Sequence, residues 1–469
     1  MTLRRATLAL TASAVLAAGL TAGPSALSQT ADAPATTARR GPDTLFPLQG
    51  NAGYDVRSYD VSMDYAPLTN LADAAVTIRA TARKRLTSFH LDFAGPTIST
   101  VVVGGRPAAY RRDGDELIVT PATAVPQGRF TTVVTYSGEP PEYTDADGST
   151  EGWVRTTDGA VALGEPVGAM TWLPSNNTPA DKATYTYRIS VPNSYEVAAN
   201  GDLVSRDTVG SSTTWTWRSS DPMSTYLAMI AIGQFTMTTA ETTSIDGRTI
   251  PIWSFEDVPT GAAASAKALL PEVLAFEEKH FGPYPFTSTG LVVDNAMVGY
   301  ALETQSRPFY PPGGADDLTV VHEMAHQWYG DSVTLRDWHD IWLAEGFATY
   351  AEWMWDGAHG GDTPRQHFDD LYATPESGAL WRPAPRKFTD SADLFGSPVY
   401  NRGAMTLQAL RMRIGNADFA TFLKAWARAH RHGSASTADL VRLAEKVSGQ
   451  ELSPLFRTWL DVAGKPKGY

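Results

Sequence analysis

His322, Glu323 and His326 read H-E-x-x-H inside the apolar, helix-period run Val320-Val321-His322-Glu323-Met324-Ala325-His326-Gln327-Trp328-Tyr329-Gly330-Asp331. On a helix, residues four apart share a face, so both imidazoles can offer a ring nitrogen to one metal ion. Glu323 then lies beside them, free to hold a water. Glu345, nineteen positions beyond His326 in Ile341-Trp342-Leu343-Ala344-Glu345-Gly346-Phe347-Ala348, suits a second helix packed on the first. Together His322, His326 and Glu345 make a two-histidine, one-glutamate site for one Zn2+ with the fourth position open, which is a catalytic pattern. The ordinary alternative is a pair of core histidines. With 9 His in 469 residues, H-E-x-x-H arises by chance on the order of 0.01 times in such a chain, which weighs against it. Zinc lowers the pKa of a bound water to about 7 and polarises a carbonyl. Glu323, adjacent to a ligand and not needed as one, is the natural general base.

Those residues need a scaffold, and 469 residues with 43% hydrophobic content hold more than one core. The expected class is α+β and multidomain. Arg4 and Arg5 precede the small, apolar run Ala6 to Ala18, and Ala22-Gly23-Pro24-Ser25-Ala26 offers small residues for cleavage. Residues 1–27 are therefore expected to be a signal peptide, too short and Ala-rich for a membrane span, and the mature protein is expected to be secreted. Residues 28–43, rich in Ala, Thr, Asp, Pro and Arg without periodicity, are expected to form a flexible leader. The chain has no cysteine, which rules out disulfides, thiolate ligands and a cysteine-borne lipid anchor. The formal charge of −13 becomes two units more negative once Arg4 and Arg5 leave with the leader. Such a surface repels nucleic acid and anionic membranes. No nucleic-acid partner and no membrane anchor are expected.

Residues 44–255 read as a β-rich domain. Runs such as Val76 to Ala82, Glu116 to Thr120, Phe130 to Tyr136 and Thr184 to Val191 are β-branched or aromatic and bounded by turn residues. Asn200-Gly201-Asp202 predicts a hairpin turn between Val197 and Leu203. Residues 256–469 read as mainly helical, with helices over 262–280, 317–329, 339–355, 403–414, 417–430, 437–447 and 452–462 and a short strand at 287–293. Asp316 or Asp317 is the expected cap of the first site helix, and Gly330 its end. The other histidines, His90, His280, His339, His359, His367, His430 and His432, lack paired ligand spacing and are expected to be structural or solvated.

With these elements in place the sequence resembles the gluzincin zinc aminopeptidases, the family of aminopeptidase N and leukotriene hydrolase. The resemblance rests on His322 to Trp328, Glu345-Gly346-Phe347-Ala348, Tyr300-Ala301-Leu302-Glu303, Tyr400-Asn401-Arg402-Gly403-Ala404 and Phe281-Gly282-Pro283-Tyr284-Pro285-Phe286, in the family's order. It covers roughly residues 50–469 and implies a saddle-like β-domain followed by a thermolysin-like catalytic domain. It implies further that Tyr400 donates to the oxyanion, and that Glu303, with Ala301 ahead of it, and Glu165 hold a substrate's α-amino group. There are departures. The family's Gly-Ala-Met-Glu-Asn is Tyr300-Ala301-Leu302-Glu303-Thr304 here, the Asn before the third ligand is Ala344, and the Gln near Glu165 is Leu163. The chain stops shortly after Phe456-Arg457-Thr458-Trp459-Leu460, where longer relatives continue into a helical domain, so a short form with a more open site is expected.

The function this implies is a secreted zinc aminopeptidase acting on peptides with a free N-terminus. The alternatives are a zinc endopeptidase with the same chemistry and an inactive peptide-binding relative. Intact His322, Glu323, His326 and Glu345 weigh against the last, because a scaffold has no physical need for a base beside an open metal site.

Overall fold

The computed structural model describes residues 43–257 and 261–467. The expected signal peptide and all but the last residue of the expected leader lie outside the described residues. That last residue, Asp43, is not flexible leader. It is buried, and its carboxylate accepts hydrogen bonds from the backbone N–H groups of Leu45 at 2.8 Å and Trp338 at 2.7 Å. A carboxylate satisfied by backbone donors this far apart in sequence ties the segment at Asp43 to the helical half.

Strict alternation builds the largest sheet. In β1 (Tyr54–Ala66), Tyr59, Val61, Met63 and Tyr65 are buried, whereas Ser62 and Asp64 face solvent. β1 pairs antiparallel with β2 (Leu71–Ala82), Val61 opposite Val76. The sheet continues through β3 (Thr97–Val103), β4 (Gly128–Gly138), β5 (Ala183–Pro192), β6 (Asp202–Val209) and β7 (Ser212–Met223), in the order β6-β7-β5-β1-β2-β4-β3, with Arg106–Pro107 at the edge. Only β1 and β5 run parallel within it, and their Tyr59 and Tyr185 rings stack 5.1 Å apart. A second sheet of five strands places Ala160–Leu163 between Thr150–Arg155 and Ile230–Gly233. It delivers Glu165 two residues past the end of its central strand.

The Asn-Gly turn is real but does not make a hairpin. Glu196–Ala199 pairs with Ile230–Gly233 in the five-stranded sheet, and β6 pairs with β7 in the large one, so the turn switches sheets. Gly201 has φ of +82°, and a Cβ there would meet the Arg218 carbonyl oxygen at 2.1 Å. Asn200 beside it is fully buried and spends all its hydrogen-bonding capacity inside. Its amide donates to the Leu227 and Gln305 carbonyls, and its oxygen accepts from Tyr187 and the Met229 N–H. Cross-sheet demand, invisible in a local window, decides where the strands go.

A mixed sheet joins the two halves. β8 (Thr236–Thr243) and β9 (Thr249–Glu256) form a hairpin, and β9 continues in parallel into β10 (Thr289–Val293) and β11 (Phe309–Tyr310). The hydrogen-bonded sheet thus crosses the boundary expected at residue 256. Beyond it lie α1 (Gly261–Phe281), α2 (Asp317–Ala325), α3 (Trp342–Ala358), α4 (Pro364–Tyr372), α5 (Gly403–Ile414), α6 (Asn416–Ala429) and α7 (Thr437–Ser448). α2 stops four residues earlier than the pattern predicts, because the N–H groups of Gln327 and Trp328 bond only three residues back, tightening the last turn. The helix expected over 452–462 is instead a short helix, Ser453–Phe456, running into a π-helical turn over Arg457–Asp461. α4 was not anticipated. Its signals were the capping box of Thr363 and Gln366 with Pro364 at its start, and the helical spacing of Phe368, Leu371 and Tyr372, of which only Phe368 is fully buried. No helix among the described residues is long and apolar enough to cross a membrane.

Candidate active site

α2 begins where Asp316 accepts from the Thr319 N–H at 3.2 Å and from its hydroxyl at 2.7 Å. Its apolar positions Val320, Val321 and Met324 are buried, which turns His322, Glu323 and His326 toward α3 and the segment at Glu303. α3 presents Glu345 in its first turn, where the positive end of the helix favours a carboxylate. Glu345 Oε2 lies 3.2 Å from His322 Nε2 and 3.5 Å from His326 Nε2, and the ligand atoms of the three residues lie within 4.8 Å of one another. Both imidazoles thus aim the same nitrogen at one point.

The other ring nitrogens are also held. His326 Nδ1 faces the Tyr329 carbonyl at 3.1 Å, and His322 Nδ1 faces Glu352 Oε1 at 2.5 Å. A partner on the far nitrogen fixes the tautomer and the ring plane of a metal-binding histidine. Glu352 was missed by the sequence reading. Its signal was present: it sits seven residues, two helical turns, beyond Glu345 on the same face of α3.

Glu303 and Glu165 come from different elements to the same place. A carboxylate oxygen of each lies within 4.8 Å of the other and of one on Glu345. Glu323 groups likewise with Glu303 and His326. Gln327, on the turn after α2, ties the Glu303 segment down: its amide donates to the Glu303 carbonyl at 3.1 Å and its oxygen accepts from the Ser306 N–H at 2.7 Å. Glu165 is anchored through its neighbours, since the fully buried Glu151 accepts from the N–H groups of Val167 at 3.2 Å and Gly168 at 2.8 Å. Ala301 is half-buried, next to Leu302, which exchanges two backbone hydrogen bonds with Phe309.

Tyr400 arrives on a π-helical turn, Pro398–Arg402, that leads into α5. Its ring stacks on His322 with centroids 6.0 Å apart and planes 20° apart. Two glycines permit this. A Cβ on Gly346, one residue past Glu345, would lie 2.9 Å from the Gly403 backbone, so the start of α5 reaches α3 only because both residues lack side chains. Arg402 pins the turn from behind by donating to the carbonyls of Trp381, Thr458 and Val462.

The electrostatics fit a cation. Glu165, Glu303, Glu323 and Glu345 are all buried, and among the described residues no Lys or Arg pairs with any of them. Burial, then Glu303 and Glu345, pushes the Glu165 carboxyl well above its usual range. Burial likewise raises Glu303, although His326 offsets part of the rise. Burial opposes charge on His322, but hydrogen bonds with Glu345 and Glu352 outweigh it and hold its pKa well above the ordinary value. Two nitrogens and one carboxylate oxygen converging in so negative a pocket are a donor set suited to a divalent metal of zinc's kind. For Tyr400, burial and then Glu345 push the phenol far up, so its hydroxyl stays protonated and is a donor.

Residues 56–227 match the model of the peptidase M1 N-terminal domain, and residues 316–459 match that of the peptidase family M1 domain. The chain belongs to the M1 zinc metallopeptidases. Its β-rich first half and helical second half are the two-domain M1 fold, and Zn2+ is its cofactor. It is 26% identical over 337 residues to aminopeptidase M1-D of Oryza sativa subsp. japonica and 26% identical over 358 residues to glutamyl aminopeptidase of Bos taurus. These alignments take in 66% and 68% of this chain, which spans only 38% and 36% of the curated relatives' length. Among solved structures, an M1 zinc metallopeptidase of Deinococcus radiodurans bound to a Tyr-Ser-Ala substrate superimposes with a TM-score of 0.82 at 29% identity, covering 91% of this chain and 99% of that one. A two-domain M1 zinc metallopeptidase bound to L-arginine gives 0.83, with 91% and 98% covered.

Proposed function

We propose that this M1 chain is an aminopeptidase that removes the N-terminal residue of peptides. The observation carrying this reading is the pair Glu165 and Glu303. Each keeps a buried oxygen with no hydrogen-bond partner among the described residues, and the pair lies against Glu345. An unpaired buried carboxylate is costly. A substrate ammonium supplies both the charge and the N–H donors they lack, and it sets the first residue's carbonyl beside the ligand cluster. The tripeptide bound to the Deinococcus protein, and the arginine and tryptophan bound to two-domain M1 structures, support peptides and their first residues as the class recognised.

Zinc, when bound, supplies Lewis acidity toward a peptide carbonyl and a water. His322, His326 and Glu345 would hold it, with Glu352 orienting His322. Glu323 acts as general base, taking the water's proton and passing it to the departing amine; burial raises its carboxyl above the usual range, which makes it a stronger base than a solvated carboxylate. Tyr400 donates its hydroxyl to the oxyanion formed on the carbonyl.

Matched peptides with free and acetylated N-termini test the reading. Only the free peptide should be shortened, and Glu303→Ala should lower kcat/KM by about 2–4 kcal/mol, roughly 30- to 10³-fold. Internal cleavage of the acetylated peptide at a comparable rate would refute it in favour of an endopeptidase. Export is part of the same proposal and rests on residues 1–27. N-terminal sequencing of protein from the culture medium should begin beyond them, and an intact Met1 on all of it would count against export.

A further inference from the structure

α1, α3, α4, α5 and α6 line a solvent-open cavity of about 770 Å³ away from the zinc centre. On α3 it touches Met354, Gly357 and Ala358, nine to thirteen residues past Glu345, or roughly 14–20 Å along the helix axis. Its floor is apolar, made by Phe276, Met354, Met412, Phe419 and Leu423. Its rim carries Lys279, Arg365, Arg411 and Lys424. Over the whole chain 51 acidic residues outnumber 38 basic ones, yet among the described residues no Asp or Glu lines this cavity. The same holds next door. A cavity of about 540 Å³ shares Lys424 and adds Arg428 and Arg431, again with no acid.

Not every rim cation is spare. Arg365 pairs with Asp369 at 2.8 Å. Arg411, however, is held by neutral groups only among the described residues: its Nε donates to Asn416 Oδ1 at 2.7 Å and Nη1 to the Tyr350 hydroxyl at 3.2 Å. That fixes a guanidinium at the rim with charge and donor capacity unspent. His280 stands at the cavity wall. Burial and then the charges of Lys279, Lys424 and Arg411 lower its pKa despite a hydrogen bond to the Phe276 carbonyl.

We propose that this cavity is a second ligand site, separate from the zinc centre, that takes a small carboxylate with an apolar body. The volume is in the range of small-molecule sites. The aromatic and thioether floor takes the apolar part. Arg411 and Lys424 take the carboxylate, and their field repels a cationic head and gives a neutral one no charge attraction. A ten-carbon chain acid has the required chemistry.

The test is calorimetric titration of the zinc-loaded protein with decanoate below its micelle concentration, with the active site filled by leucine hydroxamate so that zinc itself takes up no carboxylate. Saturable one-to-one binding is expected, with decan-1-ol and decylamine at least tenfold weaker. Arg411→Gln combined with Lys424→Gln should weaken decanoate at least tenfold while zinc content and thermal midpoint hold. Ala420→Trp, which fills the cavity from α6 and leaves the charges in place, should abolish binding and decides the matter if the double variant fails to fold. Absence of saturable binding, equal binding of decylamine, or wild-type affinity in the folded variants would overturn the proposal.

Discussion

Glu352 touches no substrate in this arrangement, yet zinc retention should depend on it. Its Oε1 lies 2.5 Å from His322 Nδ1, and the carboxylate is 26% exposed, so solvent screens it only in part. A hydrogen bond to a charged partner contributes about 1.5–3 kcal/mol, and the exposure argues for the lower half of that range. Glu352→Ala should therefore weaken zinc binding by about 1.5–2 kcal/mol, roughly 10- to 30-fold, in line with the usual effect of removing such a partner. Glu352→Gln keeps an acceptor and loses the charge, so about half that energy should survive. The assay is competition for zinc with a chromophoric chelator at fixed pH, with thermal unfolding of the metal-free proteins as a control for global damage. If both variants hold zinc as tightly as the parent, the ring of His322 is fixed by packing alone, including its stack on Tyr400, and the reasoning fails.

Two further substitutions separate chemistry from binding. Glu323→Gln should remove turnover while zinc, measured by metal analysis, stays bound; full activity would mean that another group takes the water's proton. Tyr400→Phe removes only the hydroxyl and should lower kcat by on the order of 10²-fold or more with KM little changed, whereas an effect confined to KM would make Tyr400 a ground-state contact.

The pairing of His322 and His326 on one face was legible in the sequence because it follows from helical geometry: their spacing holds on any helix, and α2 and α3 both show an apolar period, whereas the approach of Glu345 to them depends on how α3 packs on α2. Class, order of β-rich and helical parts, and most helix positions were legible for the same local reason. Tyr400, Glu303 and Glu165 were named through resemblance, since a lone tyrosine or glutamate carries no periodic signal.

What the linear pattern could not decide was everything set by contacts between distant segments. Asn200-Gly201 was read as a hairpin, but Asn200 is held by Tyr187, Leu227, Met229 and Gln305, and those four demands send the chain into another sheet. The early end of α2, the π-helical turn under Tyr400 and the close crossing at Gly346 and Gly403 are likewise tertiary. So is the burial of four carboxylates around two imidazoles. Residue types and spacing determine which atoms can hold a metal. Packing determines how dry and how negative the surrounding pocket is, because desolvation depends on neighbours contributed by the whole fold.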